Sequence, residues 1–298
     1  MKSIEYNLSM LVLLYNKEVL DSSTLKTLLA SNVFFKNCNL VIWNNGPKNI
    51  KLDNVESFKD KGFDVTVVET IDNESLGVIY NEFVSMFCSD KYMILDDDSE
   101  LNDMYLTQAI KSSSDCLTVP VIRMNGQVEG PRVDNSLYKP ELGLIGAKKI
   151  MAIGSGLIIG DRFSNLIKKK YGNVFDERFY LYGVDSSFFH RLNKLRLINK
   201  VTVISGLNHS LSRLKNESEE LREFRKLERT YDLALSIKYY FNSPLKLFYN
   251  VVKINALSLS QKLLGLELTW NIKQFNSALL TGKHYRHGKK KQKVFYYP

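Results

Sequence analysis

The sequence has 298 residues, of which 44% are hydrophobic and 24% are charged. This composition excludes a largely disordered chain, and the length suits one large domain or a domain with a smaller appendage. The formal net charge is +9, but six of the 41 Lys and Arg residues lie between Lys283 and Lys293, which leaves 35 against 32 Asp and Glu elsewhere. The basic charge therefore belongs mainly to the C-terminal tail, which argues against nucleic acid as a partner.

The cysteine pattern and the N-terminus indicate a reducing compartment. Cys38, Cys88 and Cys116 are odd in number, far apart and without CxxC spacing, which argues against a disulfide framework and a zinc site. The N-terminal apolar run of about five residues is far shorter than the ~18 residues that would span a bilayer. No cleavage-site pattern follows it. We predict a cytoplasmic protein without a signal peptide.

The first hundred residues alternate apolar runs with segments of helical spacing. Strands are predicted over 8–14, 40–43, 63–68 and 92–95, and helices over 22–32 and 76–87. Continuous apolar strands that alternate with helices indicate a parallel sheet covered on both faces. In such sheets ligands bind at the carboxyl ends of the strands. The sequence places Tyr15, Asn16, Asn44, Asn45 and the acidic triplet 96–98 at those ends.

The pattern changes after residue 115. A strand is predicted within 151–160, a helix from about Val184, a strand over 200–205 and mostly helix from residue 217 onward. We therefore predict a catalytic domain over 1–215, with halves 1–100 and 101–215. Residues 216–298 are predicted to form a helical C-terminal region that ends in the basic tail.

Three consecutive aspartates, Asp96, Asp97 and Asp98, follow the fourth predicted strand. Like charges this close raise one another's pKa unless a cation neutralises them. Mg²⁺ and Mn²⁺ prefer oxygen ligands and are commonly held by one or two carboxylates and a substrate phosphate. The alternative is a solvated turn that caps a helix beginning near Leu101. In the metal-binding interpretation, Asp96 and Asp98 face the ligand and Asp97 points elsewhere.

The triplet also carries a family resemblance. Residues 95–99 (LDDDS) resemble the DxD motif of family 2 glycosyltransferases, in the form found in rhamnosyltransferase-like members, where it holds the metal and the donor diphosphate. The segments 11–16, 41–46 and 73–81 resemble, in the expected order, the first two strands of that family and the start of its second helix. The resemblance implies a GT-A fold, which is a Rossmann-like nucleotide-sugar-binding sheet, mostly parallel and flanked by helices. The donor-binding residues that it implies are Tyr15, Asn16, Asn44, Asn45, Asn73, Asn81, Asp96 and Asp97.

A second motif lies about 90 residues further along the chain. Residues 175–185 (FDERFYLYGVD) resemble the FDExFFxYxED segment of the family, whose final Asp is the general base, here Asp185. Val184 replaces the Glu of the usual pair, as in rhamnosyltransferase-like relatives. The alternative is that Asp185 only caps the helix through Ser187 and Arg191.

Two further segments complete the resemblance. Residues 208–212 resemble the HxxxS segment, which implies that His209 joins Asp96 and Asp98 at the metal. Residues 154–156 (GSG) resemble the small-residue segment on the acceptor side of the pocket, which makes Ser155 and Gly156 acceptor-binding candidates, together with Tyr182. A tight turn in a buried strand is the alternative for 154–156.

The resemblance implies an inverting transfer of a hexosyl or deoxyhexosyl group with Mn²⁺ or Mg²⁺ as cofactor. The donor would be a UDP-, dTDP- or GDP-sugar, and the acceptor a glycan or a polyprenyl-diphosphate-linked glycan in bacterial surface polysaccharide synthesis, such as lipopolysaccharide or capsule. A sugar-phosphate nucleotidyltransferase is one alternative, but residues 14–18 do not form the Gly-rich basic loop expected after its first strand. A basic nucleic-acid-binding protein is the other alternative, and no recognisable binding motif supports it.

Apolar residues recur at helical spacing in the C-terminal region and predict one or two amphipathic helices. They are Leu245, Phe248, Val252, Ala256, Leu259, Leu263 and Leu266. We favour packing of this apolar face against the catalytic domain. The alternative is peripheral attachment to the inner face of the cell membrane, where the face and the basic tail would meet anionic lipid.

Overall fold

The structure is a computed structural model that describes residues 5–209, 218–241, 243–288 and 293–296. The predicted domain boundary at 215 lies outside the described residues. So do the part of the HxxxS segment that follows His209 and the lysines at 289–291.

Helices and short strands alternate through the first two thirds of the chain, and helices dominate the last third. The helices are α1 (Ser23–Ala30), α2 (Leu76–Met86), α3 (Asp103–Ile110), α4 (Asp161–Tyr171), α5 (Val184–Lys194), α6 (Glu219–Tyr240), α7 (Pro244–Leu263) and α8 (Ile272–Thr281). The strands are β1 (Leu8–Leu14), β2 (Cys38–Asn44), β3 (Phe63–Glu69), β4 (Lys91–Asp96), β5 (Ser99–Glu100), β6 (Leu117–Met124), β7 (Gln127–Gly130), β8 (Arg132–Val133), β9 (Ser136–Leu137), β10 (Ile150–Met151), β11 (Leu157–Gly160), β12 (Val201–His209) and β13 (Val294–Tyr296). The predicted order of elements up to β4 is confirmed, with boundaries that differ by one or two residues.

The main sheet has the strand order β13-β3-β2-β1-β4-β11-β6-β12-β5, with β7 paired to β6. Strands β1 to β4 are mutually parallel where they pair, and β12 is parallel to β6. Strand β11 is antiparallel to both of its neighbours, β4 and β6. The register places Leu14 beside Asn44 and Leu13 beside Asp96, so the carboxyl ends of β1, β2 and β4 lie at one edge. The prediction of a mostly parallel sheet is confirmed.

Side chains that alternate along the strands bury both faces of this sheet. Leu11 of β1 and Ile94 of β4 belong to a core covered by α2, α4 and α5. Met10 and Val12 belong to the opposite core, which α1 and α3 cover. Burial on both faces explains why the strands read as continuous apolar runs in the sequence.

The C-terminal region joins the catalytic domain through α6, as the buried Leu235 lies in the same core as α2 and α5. A separate small core forms between α6, α7 and α8 around Tyr231, Ile254 and Phe275. In the part of the chain described here, no helix combines the length and the apolar composition that crossing a membrane requires.

The apolar residues that predicted an amphipathic helix lie on α7 and just beyond it, but their favoured packing against the catalytic domain is wrong. Leu245 is 81% exposed and Leu263 is 79% exposed. Phe248, Val252, Leu259 and Leu266 are exposed as well. The face of α7 that packs on α6 and α8 is the opposite one, which carries Ile254 and Ser258.

The described part of the basic tail folds back onto the catalytic domain. Strand β13 pairs antiparallel with β3 at the edge of the main sheet. Arg286 is 9% exposed and its Nη2 donates to Glu228 Oε2 over 2.9 Å. Lys293 pairs with Glu82 and lies over the Trp43 ring. Arg286 and Lys293 of the basic tail therefore make contacts within the protein.

Candidate active site

The acidic triplet and the end of β12 form a cluster of metal-ligand groups. One ligand atom each from Asp96, Asp98 and His209 lie within 4.8 Å of one another. His209 Nδ1 lies 3.2 Å from Asp98 Oδ1, and His209 Nε2 lies 3.9 Å from Asp96 Oδ2. Two carboxylates and an imidazole suit Mn²⁺, and with a substrate diphosphate they suit Mg²⁺. Small side-chain rotations would bring these atoms to the ~2.1 Å at which such ligands bind.

Buried hydroxyl groups fix the backbone of this cluster. Ser155 Oγ accepts the Asp96 N–H over 3.0 Å and lies 2.8 Å from Ser99 Oγ. Ser99 Oγ in turn lies 3.0 Å from His209 Nδ1. Thr24, near the start of α1, donates to the Asp96 carbonyl over 2.5 Å. Asp96 and His209 are therefore held by groups that are themselves hydrogen-bonded, as in protein metal sites.

Asp97 points away from the cluster, as predicted. Its Oδ1 accepts from Lys17 Nζ over 2.6 Å. Burial raises the pKa of Asp97, and Lys17 opposes that shift. The alternative interpretation of the triplet as a helix cap is wrong, because the side chain of Asn102 caps α3 by accepting the Tyr105 N–H.

The electrostatics of the cluster favour a bound cation. The pKa of Asp96 is raised well above its usual range by burial and by the charges of Asp185, Asp98 and Asp97. Burial lowers the pKa of His209, against the influence of Asp98 and Asp97. A neutral imidazole beside carboxylates that destabilise one another is ready to bind a metal ion.

Asp185 lies in the first turn of α5, close enough to Asp96 for its charge to contribute to the raised pKa of Asp96. The Gly154 N–H donates to its carboxylate, and burial raises its pKa to about 6. A Cβ atom on Gly154 would lie 2.4 Å from Asp185 Oδ1, so only glycine leaves room for this carboxylate. The alternative role as a helix cap is wrong, because Ser187 donates to the Val184 carbonyl and Arg191 pairs with Asp176. The segment 154–155 thus contacts Asp185 on one side and Asp96 on the other.

The predicted donor-binding residues divide into two groups. Tyr15 is 49% exposed, Asn16 is exposed and Asn73 is partly exposed, so their side chains are accessible at the carboxyl edge of the sheet. Asn44 and Asn45 are buried. Their side chains hydrogen-bond to Glu69 and to the Glu74 backbone, respectively.

Asn81 also serves the fold. Its Oδ1 accepts the Val174 and Phe175 N–H groups, and its Nδ2 donates to the Phe175 carbonyl and to Glu177. In the structure Asn44, Asn45 and Asn81 support the loops around them. Their side-chain amides are engaged inside the protein.

The predicted acceptor-binding residues also differ in their exposure and in their contacts. Ser155 is fully buried and orients Asp96. Gly156 has a φ of 85°, and its carbonyl accepts from Tyr105 Oη over 2.8 Å inside the sheet, which fits the tight-turn alternative. Tyr182 is partly exposed near Asp185, with the Arg229 guanidinium 5.0 Å from its ring centroid.

The sequence analysis missed Lys17 and two residues of α6, Arg229 and Asp232. Asp232 Oδ1 would lie 2.3 Å from a Cβ on Gly183, and its charge contributes to the raised pKa of Asp185. The sequence does contain a sign of Lys17's role, because Lys17 follows Tyr15 and Asn16 at the carboxyl end of β1. Nothing in the sequence of a long charged helix marks Asp232 as a neighbour of Asp185.

No protein-family model and no curated protein matches the sequence. Among solved structures, the chain is similar to S. aureus TarS 1–349 in complex with UDP-GlcNAc, at 14% identity and a TM-score of 0.54, over 96% of this chain and 98% of that chain. The complex of TarS 1–349 with UDP gives 16% identity and a TM-score of 0.50, over 98% and 97% of the two chains.

A longer TarS structure matches at 17% identity and a TM-score of 0.49, over 85% of this chain and 48% of that chain. This chain therefore spans about half the length of that protein. At such identities the likeness concerns the fold alone. The fold is GT-A, which confirms the predicted fold class.

Proposed function

We propose that the protein is an inverting glycosyltransferase that moves a sugar from a nucleoside diphosphate sugar to a hydroxyl group of a glycan or lipid-linked acceptor. The observation that carries the proposal is that two adjacent residues join the two groups: Ser155 hydrogen-bonds to Asp96 of the cluster with Asp98 and His209, and Gly154 hydrogen-bonds to Asp185. In an inverting transfer, the group that stabilises the departing diphosphate and the general base must lie on opposite faces of the sugar.

Asp185 acts as the general base. With a pKa of about 6 its carboxylate is ionised at neutral pH, yet more basic than an exposed aspartate. It accepts the proton of the acceptor hydroxyl as that oxygen attacks the anomeric carbon. The Gly154 N–H holds the carboxylate in place and leaves its other oxygen for the acceptor.

The side of residues 154–155 that carries the cluster binds the donor. Tyr15, Asn16 and Asn73 are the accessible side chains for the nucleoside, and Asp96, Asp98 and His209 would hold Mn²⁺ or Mg²⁺. When bound there, the metal neutralises the donor diphosphate and stabilises the charge of the leaving group. Lys17 keeps the Asp97 carboxylate away from the diphosphate, because it pairs with that carboxylate. TarS, which shares the fold, binds UDP-GlcNAc and UDP in its structures, which makes a UDP-sugar the first donor to test.

Donor binding tests the proposal directly. We expect one of a panel of UDP-, dTDP- and GDP-sugars to raise the thermal unfolding midpoint in the presence of Mn²⁺, since a ligand of the folded state stabilises it. EDTA should remove this stabilisation, and so should Asp98→Ala. Glu141→Ala, which removes an exposed carboxylate on another loop, is the matched control. Donor stabilisation that persists in EDTA and in Asp98→Ala would exclude the metal role of the triplet.

We also propose that the enzyme attaches peripherally to anionic membranes and acts there in surface polysaccharide synthesis. Support comes from α7, whose exposed apolar face includes Leu245, Phe248 and Leu259. At 3.6 residues per turn, Lys246 and Lys253 flank this face on one side and Lys262 on the other, and α7 contains no acidic residue. Apolar faces bordered by lysines bind the interface of anionic bilayers.

Vesicle sedimentation tests this attachment. We expect the protein to sediment with vesicles of phosphatidylglycerol and phosphatidylcholine and to remain in solution with phosphatidylcholine alone. The double variant Leu245→Ser/Phe248→Ser should lose sedimentation, whereas Leu142→Ser, at an exposed leucine elsewhere, should keep it. Equal sedimentation of all three proteins would contradict the role of α7.

A further inference from the structure

A basic groove lies on α6, and it does not include Asp96, Asp98, His209 or Asp185. Arg222, Arg225, Lys226 and Arg229 recur at intervals of three and four residues, which places them on one face of the helix. With Glu267, Leu268, Thr269 and Trp270 they line a cavity of about 310 Å³. No donor or metal residue proposed above belongs to this lining.

The lining of the groove carries four cations and one anion. Glu267 lies 3.2 Å from Lys226, and Lys226 lies equally close to Glu223. The ammonium group of Lys226 is therefore engaged with carboxylates, and Arg222 Nη2 lies 4.0 Å from the exposed Glu219 Oε1. The lining as a whole is net positive, and three of its four cations are guanidinium groups. Guanidinium groups present several N–H donors in a planar fork that matches the oxygens of phosphate. Trp270 adds an aromatic wall, as pockets for organic ligands commonly have.

The position of the groove connects it to the acceptor side of the active site. Arg229, at one end of it, lies over the ring of Tyr182. Asp232, about one turn further along α6, lies against Gly183 in the turn that leads to Asp185. With a rise of about 1.5 Å per residue, the groove extends along α6 to about 15 Å from Asp232. The Arg229 end of the groove therefore lies beside residues 182–183, which lead to Asp185.

We propose that this groove binds phosphate groups of an anionic acceptor and so places one of its hydroxyl groups at Asp185. The inference rests on the proposed function, and it specifies the acceptor as a phosphate-bearing molecule. We assign the groove to the acceptor and not to the donor diphosphate, because its lining contains no residue of the metal cluster, whereas Arg229 contacts Tyr182, three residues before Asp185. A phosphodiester in a polymer and a diphosphate on a lipid carrier share the required chemistry.

Binding of two phosphate probes to the full chain tests the proposal. The probes are a short glycerol phosphate oligomer and farnesyl diphosphate, with maltotetraose as the uncharged comparison, all titrated by calorimetry in EDTA. We expect at least one phosphate probe to bind and maltotetraose not to bind. The probe that binds identifies the source of the phosphate.

The variant Arg222→Ala/Arg225→Ala should weaken phosphate binding by about tenfold or more, because hydrogen bonds to charged groups are lost. Arg225→Lys should retain more affinity than Arg225→Ala. The control Lys169→Ala/Lys170→Ala removes the same charge from the exposed end of α4 and should bind as the unaltered protein does. Unfolding midpoints establish that each variant is folded. No binding of either probe, or an equal loss in the α4 control, would overturn the proposal.

The outcomes separate this inference from the proposed function. Stabilisation by a nucleotide-sugar and Mn²⁺ without phosphate binding in the groove removes only the acceptor proposal. Phosphate binding that depends on Arg222 and Arg225, without any donor binding, supports the groove as a phosphate site and contradicts the glycosyltransferase proposal.

Discussion

The donor edge of the sheet and the C-terminal helices supply the site in different ways. At the donor edge, four parallel strands end side by side, and the residues that follow them come together because of the strand register. The C-terminal region contributes single residues over long sequence distances. Asp232 lies beside the turn before Asp185, and Arg286 Nη1 donates to the Asn73 carbonyl over 3.3 Å. Strand pairing brings the residues of the first region together at the site, whereas the second region reaches the site through individual side chains.

The C-terminal region is joined to the domain that carries the candidate site, whereas the sequence predicted it only as a helical region after residue 215. Strand β13 extends the main sheet beside β3, and α6 shares the core with α2 and α5. Substitutions in the two regions should therefore have different signatures. Substitutions at Asp185 and the metal cluster should lower the rate of transfer with little change in the free energy of unfolding. Substitutions at the C-terminal contacts should lower both the rate and the free energy of unfolding.

The largest expected effect is that of Asp185→Asn. Loss of a general base lowers the rate of transfer by about 10²- to 10⁴-fold, whereas donor stabilisation with Mn²⁺ should remain. The unfolding midpoint should not fall, because the ionised Asp185 carboxylate is costly to bury and the uncharged amide avoids that cost. Release of nucleoside diphosphate in the presence of acceptor measures the rate, and Glu129→Gln, at an exposed position, is the control. A normal rate in Asp185→Asn would refute the assignment of the base.

Gly154→Ala provides a second variant of the same contact. Its Cβ would collide with Asp185 Oδ1, so the carboxylate must turn away from the acceptor. We expect the rate to fall while donor binding remains.

The next largest effect is expected from Arg286→Ala, which tests whether the C-terminal region is integral. Its buried partner Glu228 is 1% exposed, and removal of one member of a buried ion pair costs about 3 kcal/mol of unfolding free energy. Urea denaturation measures this loss, and donor affinity should also fall because the Asn73 carbonyl loses its donor. Lys283→Ala, at an exposed neighbouring position, should have little effect. If both variants unfold alike, the C-terminal region is an appendage after all.

The sequence allowed the prediction of those parts of the fold that periodicity encodes. Buried strands such as β1 and β4 are visible as apolar runs, and Asp96 and Asp98 are visible because they follow such a run. Periodicity does not say which of two apolar faces of a helix is packed, so the exposed stripe of α7 was assigned to the wrong side. It also gives no partner for a lone Asp232 in a charged helix. Hydrogen bonding within the protein likewise decides that Asn45 and Asn81 support loops, and this depends on tertiary contacts that no local pattern contains.

A smaller effect is expected from Ser155→Ala. This variant tests whether the position of the Asp96 backbone sets the affinity for metal at the edge of the sheet. The variant removes the hydroxyl that accepts the Asp96 N–H and contacts Ser99. Loss of groups that orient metal ligands typically lowers metal affinity about 10- to 100-fold. Mn²⁺ titration in the presence of the stabilising nucleotide measures this change. Thr107→Ala, at an exposed position on α3, should bind Mn²⁺ normally, and an unchanged affinity in Ser155→Ala would exclude the orienting role.

The smallest expected effect is a shift in the pH dependence of kcat/KM when Asp232 is replaced. This variant tests a contact between the two regions, because Asp232 lies on α6 and acts on Asp185 of α5. Burial and, to a smaller extent, the charge of Asp232 raise the pKa of Asp185 to about 6. The base is active when deprotonated, so kcat/KM should rise with pH through this pKa and level off above it. Asp232→Asn removes the neighbouring charge and should move the midpoint to lower pH by less than about one unit. The comparison is made at the same metal concentration, so that the effect of the metal on Asp185 is common to both proteins. A midpoint that moves upward, or that does not move, would mean that α6 does not act on the base electrostatically.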